Sequence, residues 1–297
     1  MKFLSFLVVL ALSFLVSSCS SENPTLQTNY QIGYGALDVL AEQSRFPEMA
    51  VPSEPFEVIV YLKNNAGYEL RNVKVTLAGL DKDKVELSSA LSEIGSLEGR
   101  STFNPGGETR DIRFNGIVKR LTLAGQDKRK DKYEVLLEYD SIVELSTDVC
   151  IKTSLHDVSD AGCSATTTRF DGQGAPIAFT NFNHEGYGTS QRFTFSIANE
   201  AQGQARKYTI LSAFMGGQPL ACNFVDAEIP LYYVLEESKD QQRVDVSCHI
   251  DLDLETASYE TPLQVKVGYS YEQRIPKEVS IRGQSVQSAV VDERLLG

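Results

Sequence analysis

No tryptophan occurs in the 297 residues, and histidine appears only three times, at His156, His184 and His249. Indole platforms for sugar stacking are therefore missing, and general bases are scarce. Positive charge is also short. Lys and Arg number 28 against 40 Asp and Glu, a net charge of −12 with a pI near 4.8, which argues against recognition of nucleic acid through its phosphates. There is no Gly-x-Ser-x-Gly turn to present a serine nucleophile and no Cys-x-x-Cys or His pair at metal-ligand spacing. Gly172-Gln173-Gly174 lacks the lysine and the strand-to-helix setting of a phosphate loop. Neither enzyme activity nor a cofactor nor a metal is expected. What remains is a chain with 42% hydrophobic residues, enough to build real cores.

Only one long apolar run exists, from Phe3 to Val16 behind Met1-Lys2. It is too short for a transmembrane helix and has the charge and small-residue flanks of a secretory signal. Its end, Val16-Ser17-Ser18-Cys19, resembles the lipobox of prokaryotic lipoproteins. That resemblance implies a signal peptide over 1–18, lipid on Cys19, and attachment to the cell membrane or cell surface by a polar tether over 19–30. A plain signal peptide cut nearby is the alternative. One acyl chain holds a protein only weakly, so stable retention needs two or more.

Beyond Cys19 stand Cys150, Cys163, Cys222 and Cys248. An even number in an exported chain argues for disulfides, against free buried thiols or a metal site. Parity narrows the pairing. Val244, Val246, Cys248, Ile250 and Leu252 alternate with Asp245, Ser247, His249 and Asp251, so Cys248 faces inward. Leu220, Cys222 and Phe224 alternate likewise. A buried Cys222–Cys248 bridge follows, leaving Cys150 for Cys163; that second bridge is expected to limit the angle between two domains.

Alternation with a period of two dominates the rest. It runs through Phe56–Leu62, Val73–Leu77, Ile112–Phe114 and Tyr133–Tyr139, then Ile177–Phe179, Phe193–Ile197, Tyr208–Ile210 and Leu263–Tyr271. Two stretches, Ser88–Gly95 and Ile229–Ser238, read as helical inserts, the second equally well as a strand. The pattern repeats. Val58-x-Val60-x-Leu62-x-Asn64-x-Ala66-Gly67 matches Phe193-x-Phe195-x-Ile197-x-Asn199-x-Ala201-Gln202-Gly203, and Leu137-x-Tyr139 with Val149-x-Ile151 matches Val267-x-Tyr269 with Val279-x-Ile281 at one constant offset. The prediction is an all-β chain of two tandem immunoglobulin-like antiparallel β-sandwich domains, over 31–152 and 175–284, joined by a linker over 153–174 and followed by a tail over 285–297.

A strand ending in Asn and a small-Gly turn, then Arg71-Asn72-Val73-Lys74-Val75-Thr76-Leu77 and Pro105-Gly106-Gly107-Glu108 before Ile112-x-Phe114, resembles the CARDB-type immunoglobulin-like modules of prokaryotic surface proteins. The resemblance implies display, spacing or protein contact and supplies no catalytic residues.

The remaining polar groups read as solvated faces. His249 and the row Asp245, Asp251, Asp253 and Glu255 line an outward strand face, with calcium the weaker reading because no Gly turn makes the ligands converge. Asp81 and Lys84 read as a turn, Lys128-Arg129-Lys130 as a hairpin tip, His184 as part of a turn, and Tyr30, Tyr34, Tyr232 and Tyr233 as core or edge packing. The expected function is a non-catalytic, lipid-anchored display or interaction module that meets a surface protein. The alternative is a polysaccharide- or solute-binding accessory of a surface complex.

Overall fold

The computed structural model describes residues 29–119, 128–151, 163, 170, 172–187, 189–225, 227–235, 243–252 and 259–283. The expected signal peptide, Cys19, most of the expected linker, Asp253, Glu255, His156 and the expected tail lie outside the described residues. The described chain is all-β. The first half holds β1 (Leu37–Val39), β2 (Met49–Ala50), β3 (Pro55–Asn64), β4 (Leu70–Ala78), β5 (Val85–Leu87), β6 (Leu91–Leu97), β7 (Thr109–Val118) and β8 (Lys128–Ile151). The second holds β9 (Ile177–Tyr187), β10 (Ser190–Asn199), β11 (Gln204–Met215), β12 (Gln218–Pro219), β13 (Ala221–Phe224), β14 (Tyr232–Val234), β15 (Arg243–Asp251) and β16 (Tyr259–Arg282).

The alternating residues are the buried ones: Val58, Val60 and Leu62 on β3, Val73 and Val75 on β4, Phe193, Phe195 and Ile197 on β10, and Val244, Val246 and Cys248 on β15. Burying every second side chain of a pleated strand turns one face toward a partner sheet. Two four-stranded sheets, ordered β1-β3-β7-β5 and β13-β15-β10-β9, supply such faces, and the third sheet is an eight-stranded assembly with the path β12-β11-β16-β8-β4-β6. Their inward residues form one contiguous core, as in a β-sandwich.

The repeat is visible in this topology. β3 and β10, β4 and β11, β7 and β15, and β8 and β16 occupy equivalent places, so the path of the large sheet reads alike from either end. Both corners between β3 and β4 and between β10 and β11 are closed by the repeated asparagine. Asn64 Nδ2 donates to the Tyr68 carbonyl at 3.0 Å while its Oδ1 accepts from Ala66 N at 2.9 Å. Asn199 Nδ2 donates to the Gly203 carbonyl at 2.6 Å and its Oδ1 accepts from Ala201 N at 3.4 Å. An Asn side chain bonding its own backbone two residues on is a turn-forming device, and here it turns the chain from the small sheet into the large one.

The halves are not beads on a linker. β8 and β16, 24 residues each, pair antiparallel along their whole length, from Lys128↔Arg282 to Ile151↔Tyr259. β4 flanks β8 from Ala78↔Glu134 to Arg71↔Asp140, whereas β11 flanks β16 from Met215↔Leu263 to Gln204↔Glu272. Each long strand therefore crosses the waist and adds to both halves. The end of β16 lies among first-half residues: Ser280 and Ile281 pair with Met49 and Ala50, and Lys277 Nζ sits 4.1 Å from the Phe46 ring centroid. This continuous ribbon joins the halves directly, in addition to the Cys150–Cys163 bridge.

Three local expectations are corrected. Ser88–Gly95 contains most of β6 and pairs with β4 instead of coiling into a helix, whereas Ile229–Ser238 contains β14, paired with β11, which is the strand alternative of its sequence reading. Pairing at an open sheet edge outweighs weak helical periodicity in so short a stretch. Lys128-Arg129-Lys130 opens β8 instead of forming a tip, with Arg129 bridged to Asp131 at 2.9 Å and Lys130 to Glu278 at 2.5 Å. His184 lies within β9, opposite Phe193. Gly172-Gln173-Gly174 packs against the entering chain: Gly174 has φ +73°, and a Cβ there would stand 2.7 Å from the Tyr30 carbonyl.

Candidate functional site: the outer face at the waist

The constant offset of the repeat, placed on an antiparallel pair, makes Asp140 and Ser270 each other's equivalents and direct partners. This pair marks the local two-fold centre of the large sheet. Ser270 Oγ donates to Asp140 Oδ1 at 2.5 Å, and Asn72 Nδ2 donates to Oδ2 at 2.8 Å. On each side a register shift interrupts the neighbouring strand, between Arg71 and Lys74 in β4 and between Ala205 and Lys207 in β11. Bulges re-aim side chains and increase local twist, and here Asn72 takes φ +51°. Two grooves open beside the pair.

The first groove, about 500 Å³, is lined by Lys74, Glu93, Glu138, Arg206 and Glu272 among others. Arg206 grips Glu272 with Nε at 3.1 Å and Nη2 at 3.0 Å, and Arg274 Nε adds a bond of 2.6 Å. Partial burial pushes the Glu272 carboxyl up, but these bonds and charges outweigh it and hold the group below the usual carboxylate range. The second groove, about 560 Å³, carries Arg71, Lys207 and Lys266 with Glu69, Thr209, Ile142 and Leu211. Lys266 pairs with Glu144 at 3.1 Å and Arg71 with Glu69 at 2.8 Å. Leu211, 52% exposed, reaches over Gly268, where an added Cβ would still stand 3.4 Å away. Both grooves are open, with charged side chains set beside apolar surface.

Both predicted disulfides are formed. Cys222 and Cys248 are direct cross-strand partners on β13 and β15, so this bridge lies within one sheet instead of joining two. Cys150, at the end of β8, is bonded to Cys163. The two described histidines lie on different strands. His184 stacks on Phe193 with ring centroids 4.6 Å apart and places Nε2 2.8 Å from Gln191 Oε1; burial lowers its pKa despite that bond. His249 is exposed on β15, as alternation required. Asp245 accepts from Ser196 at 2.5 Å and from Arg243 at 3.4 Å, while Asp251 is exposed. Among the described residues no group of acidic, histidine or cysteine side chains is arranged to hold a metal. Asp81 forms its turn, with Asp83 and Lys84 backbone amides bonded to it.

Residue-by-residue reading missed the groove residues Asp140, Ser270, Arg206 and Glu272. The offset of the repeat relates Asp140 to Ser270 in the sequence, but only the pairing of β8 with β16 sets them opposite each other.

No family model and no curated protein matches this chain. Among solved structures, the secreted serine protease VesC from Vibrio cholerae is similar over 83% of this chain and 52% of its own, with 11% identity and a TM-score of 0.23. The chain thus spans about half the length of that protein. The Escherichia coli chaperone DraB is similar over 68% of this chain and 81% of its own, with 7% identity and a TM-score of 0.19. The serine-rich repeat adhesion glycoprotein Srr1 from Streptococcus agalactiae is similar over 86% of this chain and 98% of its own, at 7% identity and a TM-score of 0.16.

Proposed function

We propose that this protein is a non-catalytic, lipid-anchored cell-surface module that presents the outer face of its large sheet to a surface protein. The carrying observation is the single eight-stranded sheet running through both halves, which makes the two grooves at the waist one rigid platform. A preorganised surface loses less entropy on binding than a mobile one. The disulfides suit an oxidising, extracytoplasmic compartment, and Cys19 after Val16-Ser17-Ser18 supplies the anchor in this reading. The halves are assigned to the CARDB-like modules on the strength of the paired Asn64 and Asn199 corners.

The charged side chains among the residues lining the grooves favour a second reading, an accessory that binds polysaccharide or a solute there. A photo-reactive residue at Thr209 separates the two. A discrete adduct with a surface protein in intact cells supports the interaction module; saturable binding on a glycan array, lost with Arg71→Ala, supports the accessory. Absence of both would reject the outer face as the site.

A further inference from the structure

We infer that the waist makes a second contact with the membrane, through Phe103, which settles into the interfacial layer of the bilayer that holds Cys19. This rests on the lipid-anchor reading above for its geometry. Phe103 is 100% exposed, more than any other large apolar side chain among the described residues. It does not dangle. Ser101 and Asn104 exchange backbone bonds of 3.0 and 3.2 Å, Ser101 Oγ accepts from Asn104 N at 3.1 Å, and Gly107 N donates to the Asn104 carbonyl at 3.1 Å. Arg100 N donates to the Ala66 carbonyl at 2.8 Å, so the loop hangs from the Asn64 corner. A fully solvated phenyl on an ordered loop is apolar area already positioned for burial.

The entering chain meets the same corner. The Tyr30 carbonyl lies so near Gly67 that a Cβ there would stand 2.3 Å away, and Ile32 just beyond is 60% exposed. Between Cys19 and Asn29 there are too few residues to reach farther than roughly 33 Å, even fully extended. In the lipid-anchored chain the corner therefore stays within roughly 33 Å of the anchored cysteine. Both described segments that meet there lack charge, residues 29–37 and 101–107, in a chain that is 23% charged. With a net charge of −12 the protein has little electrostatic attraction to anionic lipid, so an uncharged, apolar contact is the kind available to it. Acyl anchoring is strengthened by any second membrane-seeking element.

Because the chain contains no tryptophan, Phe103→Trp installs a single reporter. The full-length lipidated chain is reconstituted into vesicles of phosphatidylcholine and phosphatidylglycerol. Expected are a blue-shifted emission, quenching by brominated lipid, and none of either for Gln218→Trp, roughly 20 Å along the ribbon. In the unlipidated Cys19→Ser chain, vesicle partitioning should fall about tenfold or more with Phe103→Ser, the effect of losing one phenyl. If the Phe103→Trp indole keeps its aqueous emission in the lipidated, vesicle-bound chain, the contact is overturned while the anchor stays intact; a photo-cross-link from position 103 to a protein would then identify the tip as a protein contact. If mass spectrometry finds no lipid on Cys19, the anchor reading fails instead. The unlipidated chain then decides the contact alone: a response of the Phe103→Trp reporter to vesicles sustains it, and none rejects it.

Discussion

Replacing Asn64 tests the argument that one side chain closes the corner between sheets. Asn64 is fully buried and serves three backbone groups: the Tyr68 and Leu97 carbonyls, each at 3.0 Å, and Ala66 N at 2.9 Å. Alanine would leave all three without this partner in a place water reaches poorly. A buried polar group left unsatisfied costs about 1–3 kcal/mol, so Asn64→Ala should lose roughly 3–5 kcal/mol, a large part of a typical domain's net stability. Asn64→Asp keeps the acceptor for Ala66 but sets a carboxylate against two carbonyls, and it should be at least as damaging. The repeat supplies an internal control. Asn199 is only partly buried, with one bond as long as 3.4 Å, so Asn199→Ala should cost roughly 1–2 kcal/mol. Urea unfolding followed by far-ultraviolet circular dichroism reads all three, with an unchanged slope marking an effect on native stability. A loss below about 1 kcal/mol for Asn64→Ala, or a milder effect from Asp than from Ala, would refute the reasoning.

Two further outcomes follow from the bridges and the carboxylates. Removing Cys222–Cys248, which closes 26 residues, should destabilise by about 3.5 kcal/mol and removing Cys150–Cys163 by about 3 kcal/mol on chain-entropy grounds; unfolding of the paired Cys→Ala variants checks the order. Scattering dimensions should not change when only Cys150–Cys163 is reduced, because the β8–β16 ribbon persists. Glu108 and Glu272 both have folded pKa values below the ordinary 4.5. A depressed carboxyl stabilises the fold above its unfolded pKa and loses that contribution as pH falls through its folded one. Stability should therefore decline as pH drops below about 4.5, and Arg206→Met should shrink the Glu272 share of that decline in a pH series of urea midpoints.

Arg206, Arg274 and Glu272 form one cluster, and Asp140 is held by Ser270 and Asn72. Exposed ion pairs add little stability each, but linked pairs on a stiff sheet hold side chains in one arrangement, and a partner can complement an arrangement.

Much of the layered architecture could be read in the residues. Alternation at Val58, Val60 and Leu62, or at Val244, Val246 and Cys248, states which side chains go inward, because successive residues of a strand point to opposite faces. The same rule set the cysteine pairing and placed His249 outside. It says nothing of which strand lies alongside. Tertiary structure alone decided that β8 pairs with β16 across the waist, that Asp140 faces Ser270, and that the grooves form where β4 and β11 bulge. The physical reason is that parity is a local property of one strand. Register and neighbour are settled by closing long loops and burying shared apolar faces, a competition among all the strands at once.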